Sequence, residues 1–163
     1  VQNGRSEIFI RSVLPEDWRL FRELRLAALG ESPHAFGTTL ADWQGAGDTE
    51  QRWRKRLTDV PLNLVAYLDG VVAGIVSATN PDSNAGTELI SMWVSPLARG
   101  KGVGTALVEA IVSWARTHEL AMVSLDVRET NDSARALYER CGFADRGRVD
   151  QPGPPERRMT RAT

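Results

Sequence analysis

The chain carries a single cysteine, Cys141, among 163 residues, and only two histidines, His34 and His118. One thiol excludes an internal disulfide and any multi-cysteine zinc site, and two imidazoles are too few for a His-rich metal centre. Charge of one sign is also missing. Twenty Lys and Arg residues oppose 21 Asp and Glu, for a net charge of −1, which argues against a dedicated nucleic-acid binder. The longest weakly polar stretch, Val71–Ala78, falls far short of the ~20 residues that span a bilayer. No charged-then-apolar signal segment opens the chain, and no repeat or low-complexity tract interrupts it. The expectation is a cytoplasmic, metal-free protein without nucleic-acid or membrane partners. What is present is 42% hydrophobic and 25% charged residues, the balance of a folded globule, at a length that suits one domain over residues 1–163.

Local patterning predicts a mixed α/β fold. Residues 8–13 form a β-branched, aromatic first strand. Pro15, Glu16 and Asp17 open a helix whose apolar positions Leu20, Phe21, Leu24, Ala27 and Ala28 recur at helical spacing, with Gly30 as its stop. Residues 30–49 read as loop, and Thr49 caps a short second helix. Strands Leu62–Leu68 and Val71–Ala78 flank Asp69-Gly70, a tight-hairpin signal. A third strand run covers residues 87–94. A long helix follows with Val103, Leu107, Val108, Ile111, Val112 and Ala115 on its apolar face. Then come a buried strand over 123–127, a helix over Asp132–Arg140, and two last strands around a Pro-rich loop. The order is β-α-α-β-β-β-α-β-α-β-β, and hairpins beside strand–helix–strand crossovers require a mixed sheet.

The most informative segment is Arg99-Gly100-Lys101-Gly102-Val103-Gly104, between a strand and a helix. Alternate glycines let backbone approach a ligand closely. The first turn of the next helix offers unpaired N–H groups and a positive dipole end, which together make an anion site. The Walker and dinucleotide patterns both fail here, because neither the Gly-Lys-Ser/Thr ending nor a third glycine at the required spacing is present. A nucleotide-binding domain is therefore disfavoured.

Arg99-x-x-Gly102-x-Gly104 resembles the pyrophosphate-binding turn of the GNAT superfamily of acyl-CoA-dependent N-acetyltransferases. The block Asn131-Asp132-Ser133-Ala134-Arg135-Ala136-Leu137-Tyr138, continuing to Gly142-Phe143, is similar to that family's next segment. The resemblance covers residues 8–159 and is most specific between Glu88 and Phe143. It implies a GNAT-like α/β fold and acetyl-CoA as co-substrate. It implies that Arg99, Gly100, Lys101, Gly102, Val103, Gly104 and Thr105 hold the diphosphate. It further implies that Met92, Trp93 and Val94 grip the pantetheine arm through backbone, and that Asn131, Ser133 and Ala134 lie against the cofactor. Many relatives pair as a homodimer, although nothing in the sequence marks an interface.

Acetyl transfer to an amine has two proton problems. An alkylammonium with pKa ~10.4 is about 0.04% free amine at pH 7, so supplying the nucleophile costs about 4–5 kcal/mol. A departing thiolate with pKa ~8.5 costs roughly 2 kcal/mol. A base therefore matters more than an acid. The resemblance makes Glu88 the candidate base, directly or through water, and Tyr138 the candidate acid. Strand alternation would place Glu88, Ile90, Met92 and Val94 on one face and Trp93 on the other. Apolar neighbours would raise the Glu88 pKa. Cys141 reads as packing, so direct attack by the amine is expected over an acyl-cysteine.

The resemblance implies that the loop after the first helix lines the acceptor pocket, where Glu31, His34 and Phe36 are the candidate contacts. No Lys or Arg occurs over residues 26–51, against Glu31, Asp42, Asp48 and Glu50. This predicts an acidic rim for a cationic small-molecule or peptide amine. A non-catalytic acyl-CoA-binding sensor, needing neither Glu88 nor Tyr138, remains the alternative.

Overall fold

The computed structural model describes residues 4–36, 38–82 and 85–163, without the side chain of His34. Eleven regular elements follow in the expected order: β1 (Ile8–Ser12), α1 (Trp18–Glu31), α2 (Glu50–Asp59), β2 (Leu62–Leu68), β3 (Val71–Ala78), β4 (Gly86–Val94), α3 (Val103–Thr117), β5 (Met122–Arg128), α4 (Asp132–Arg140), β6 (Ala144–Arg148) and β7 (Glu156–Ala162). The strands form one seven-stranded sheet ordered β1-β2-β3-β4-β5-β7-β6. Only β4 and β5 run parallel, and α3 is the crossover that this pairing demands. No helix among the described residues is long and apolar enough to cross a membrane.

The sheet is covered on both faces. Below it, α3 buries Val103, Leu107, Val108, Ile111, Val112 and Ala115, the set its periodicity predicts, together with Tyr138 of α4 and Cys141 just after it. Each fully buried aliphatic side chain there contributes roughly 1.5–3 kcal/mol of transfer free energy. Above it, α1 and α2 bury Phe21, Leu29 and Trp53. The Phe21 and Trp53 rings meet edge-on at 6.1 Å, a favoured aromatic geometry. The β2–β3 hairpin turns through Asp69 and Gly70 at φ 50° and 81°, as a primed turn requires. Helix α1 runs past Gly30 to Glu31. A lone glycine costs a helix only ~1 kcal/mol, and the packing of Ala28 and Leu29 outweighs it.

Two irregularities shape the site. First, β4 is bulged: Ser77 faces Ile90 and Ile75 faces Trp93, so Ser91 and Met92 together oppose Val76. Ser91 takes the left-handed conformation at φ 55°. An extra residue inverts the alternation beyond it. The expectation that Glu88, Ile90, Met92 and Val94 share a face is therefore corrected. Met92 and Val94 pack with Leu89 on the α3 side, whereas Trp93 packs on the α1–α2 side, the face to which alternation from Leu89 assigns Glu88. Second, β4 and β5 pair only from Gly86↔Met122 to Glu88↔Ser124. Beyond Glu88 the strands part, and a cleft opens between them.

Candidate active site

The cleft has a volume of about 1270 Å³ and divides into two halves of different construction. One is bounded by the end of β4, the glycine turn and α4. The other lies under α1, α2 and their connection, against the start of β4, the end of β5 and the β6–β7 loop.

Main chain dominates the first half. Gly100 and Gly102 sit at φ 73° and 87°, and Gly102 caps α3 from the left-handed region with no side-chain cap bond. The leading N–H groups of α3 thus have no partner from the helix or its cap. Gly104 serves a different need: a Cβ there would lie 3.0 Å from Leu137 Cδ2, so glycine lets α3 approach α4. Arg99, Gly100, Gly102, Gly104, Thr105, Met92, Trp93, Val94, Asn131, Ser133 and Ala134 all line the cleft. Val103 is buried in the core and Lys101 is exposed, so neither side chain lines it. Asn131 caps α4, its Oδ1 accepting from the Ala134 N–H at 3.2 Å. Arg99 is a strut: it donates to Val94 O at 3.0 Å and to Glu31 Oε2 at 2.7 Å.

Tyr138 lines the cleft from below, 6% exposed, with its ring 5.9 Å from Phe143. Burial raises its pKa well above the usual phenol value, with Cys141 adding to the effect. It is a neutral hydroxyl at pH 7, able to give a proton. Cys141 is buried, and burial raises the pKa of its thiol. Glu88 lines the cleft half-buried. Burial pushes its pKa up, and the Asp126 carboxylate adds to the rise. The neighbours expected from strand alternation are thus corrected: besides burial, the charges of Asp126, Glu156 and Asp82 raise the Glu88 pKa and that of Arg158 lowers it.

The acidic rim is not free. Glu31 accepts from Arg99, from Trp93 Nε1 at 2.9 Å and from the Ser32 hydroxyl, and these bonds lower its pKa to about 2. Asp42 caps its own turn through Thr38 and Thr39. Asp48 holds Arg22 and Trp53 Nε1, and Glu50 holds Arg54. All four carboxylates are committed within the chain. Phe36 does line the cleft, 8% exposed, while the His34 side chain lies outside the described residues.

What the sequence argument missed is the arginine content of the second half. Arg25, Arg52, Arg56 and Arg128 line it. Arg56 donates to Asn63 Oδ1 at 2.8 Å and to Ser91 Oγ at 3.2 Å. Arg52 lies over the Trp43 ring at 3.8 Å and donates to backbone carbonyls of Asp42 and Gly47. Arg128 pairs with Glu156 at 3.2 Å. A signal for Arg25 was present, since it falls on the stripe Phe21-x-x-x-Arg25-x-x-Ala28-Leu29 that α1 buries.

Known proteins resemble this chain in sequence and in fold. The rat (Rattus norvegicus) N-acetylaspartate synthetase is 37% identical over 86 residues, covering 53% of this chain and 29% of that protein. The chain therefore spans less than a third of that relative's length. The aminoglycoside N(6')-acetyltransferase type 1 of Stenotrophomonas maltophilia is 28% identical over 149 residues, covering 86% and 88% of the two chains. The structure of yncA, a putative acetyltransferase from Salmonella typhimurium with its cofactor acetyl-CoA, superposes with a TM-score of 0.76 at 21% identity, covering 96% and 94%, and so shares the fold. The family model "Acetyltransferase (GNAT) family" matches residues 18–143, which takes in the glycine turn, the bulged strand and Tyr138: the chain belongs to the GNAT acetyltransferase family.

Proposed function

We propose that the protein transfers an acetyl group from acetyl-CoA to a primary amine by direct attack. One observation carries this reading: a left-handed glycine cradle at the head of α3 shares a cleft with a parted β4–β5 pair, a raised carboxyl and a buried phenol. The residues fit the cofactor. Unpaired N–H groups of residues 102–105 suit a diphosphate, and the unpaired edge of β4 beyond Glu88 suits the amide-bearing pantetheine arm as an added strand. Acetyl-CoA, when bound, supplies an activated thioester. Glu88, raised toward neutrality, takes the proton that the ammonium must lose, directly or through water. The amine nitrogen bonds to the acetyl carbon as the carbon–sulfur bond breaks. Tyr138 gives its proton to the leaving sulfur and regains one from solvent as the acylated nitrogen sheds its second proton to solvent and Glu88 releases the first, so the net products are an N-acetylated amine, a free thiol and one proton.

The names of relatives point to different products, N-acetylaspartate and an N(6')-acetylated aminoglycoside, so they support the reaction type and leave its acceptor open. Thiol release from acetyl-CoA with an amine panel tests the reading. Glu88→Gln should lower kcat/KM by ~10²–10⁴-fold, and Tyr138→Phe should lower kcat by about 10-fold or more, with acetyl-CoA affinity kept in both. Tight coenzyme binding with no turnover on any amine would favour the sensor instead.

A further inference from the structure

Arg25 is anomalous. It sits mid-helix in α1, 7% exposed, and its Nη1 is buried without a hydrogen-bond partner. It lines the acceptor half of the cleft. No carboxylate among the described residues pairs with it. Its recorded neighbours are the Phe36 ring, 4.7 Å from its guanidinium carbon, and a second cation, Arg56. Among the described residues, the partners of Arg56 are all neutral: Asn63, Ser91 and the Phe21 ring. An arginine keeps its charge at any physiological pH. A buried guanidinium that is unpaired and faces a like charge is costly, and it marks a place where a counter-ion is wanted.

The acids that could have served are engaged elsewhere. Asp126 holds Arg158 through two bonds of 2.7 Å, and Glu156 holds Arg128. Glu31 accepts from Arg99 and Trp93. Glu88 is the one cleft carboxylate among the described residues without an ion pair within 4.0 Å, and the reaction requires it as a base. The acceptor half therefore offers one base for an ammonium and, separately, guanidiniums with no carboxylate within 4.0 Å among the described residues: Arg25, buried and unpartnered at Nη1, Arg56, held by neutral groups, and Arg52, held by backbone carbonyls. That pattern complements a molecule carrying both an amine and an anion. A planar guanidinium covered on one face by an aromatic ring presents its edge, which suits bidentate binding of a carboxylate.

We propose that the amine acceptor is an amino carboxylate, whose carboxylate seats on the unpartnered Arg25 guanidinium with Arg56 beside it, while its amine faces Glu88. This rests on the acetyl-transfer reading and narrows its acceptor. It reverses the expectation of a purely cationic amine, because the acids that motivated a negative rim are consumed by Arg99, Arg22, Arg54 and local turns.

The test compares the proteinogenic L-amino acids, β-alanine and γ-aminobutyrate with their carboxamides and with polyamines, in two assays on the same protein. Turnover is followed by thiol release from acetyl-CoA, and binding is followed by calorimetric titration of the coenzyme A complex. At least one amino acid should exceed its carboxamide by about 10-fold or more in kcat/KM and in affinity, as the loss of a charge-assisted hydrogen bond implies. The carboxamide has the less basic amine, so this preference cannot come from amine availability. Arg25→Gln should collapse the acid-over-amide ratio toward unity, chiefly through KM, with coenzyme A affinity kept. Arg25→Lys should restore part of the ratio. Carboxamides or polyamines matching or beating every amino acid would overturn the proposal, as would an unchanged ratio in Arg25→Gln. Amino acids that bind through Arg25 without being acetylated would uphold the anion site and sink the acetyl-transfer reading. No amino acid binding at all, beside acetylation of other amines, would do the reverse.

Discussion

The two halves of the cleft are built from different materials. The cofactor half is made of main chain: positive-φ glycines, open helix N–H groups and a bulged, unpaired strand. The acceptor half is made of side chains brought from α1, α2, β4 and β5, with Arg25, Arg52, Arg56 and Arg128 lining the same cleft as Glu88. A backbone cradle recognises a fixed chemical group and leaves side chains free to vary. A side-chain cluster can be rewritten one residue at a time. The construction therefore fits a constant coenzyme on one side and a chain-specific acceptor on the other.

If this contrast is right, the cofactor half should fail through backbone changes and tolerate side-chain loss. Gly102→Val forces a β-branched residue into φ 87°, where such residues are outliers. Acetyl-CoA affinity measured by titration should fall by ~30-fold or more, from a strain of roughly 2 kcal/mol at the cradle, with the far-ultraviolet spectrum kept. The acceptor half should instead respond to charge. Asp126 helps to raise the Glu88 pKa and also holds Arg158, whose charge lowers it. Asp126→Asn removes the first influence and frees the second, so both move Glu88 downward. A base works deprotonated, so the acidic limb of the kcat/KM–pH profile should shift to lower pH; an upward shift would deny Glu88 its place as the titrating base. Stability should separate the halves as well. Arg25→Met removes a buried unpaired charge and should stabilise the ligand-free protein by about 1–2 kcal/mol, or ~2–6 °C in Tm, while abolishing amino-carboxylate preference. Lys101→Ala, at an exposed cradle position, should change acetyl-CoA affinity by only ~2–3-fold.

The same contrast explains what the sequence disclosed. Glycines at alternate positions, Asp-Gly between strand runs and a 3.6-residue apolar period are local signals, and β2, β3, α4 and the buried face of α3 were legible from them. The cradle was legible for the same reason. The Ser91 bulge was not: one inserted residue leaves no mark in a run of β-formers, yet it puts Glu88 and Met92 on opposite faces. The arginine cluster escaped for another reason. Its members are scattered along the chain, and only tertiary packing shows that Arg25 lacks the acid it would need, or that Glu31 and Asp48 already have their cations. Charge counted along a loop misled, since those acids are matched by arginines outside the window that was counted.

The central claim is that main-chain donors at the head of α3 aim the thioester at Tyr138. A crystal structure with coenzyme A bound tests it most directly. The account predicts the diphosphate within hydrogen-bond distance of the N–H groups of residues 102–105, the pantetheine along the unpaired edge of β4, and the sulfur beside the Tyr138 hydroxyl. A diphosphate bound elsewhere, with the glycine turn left empty, would contradict it.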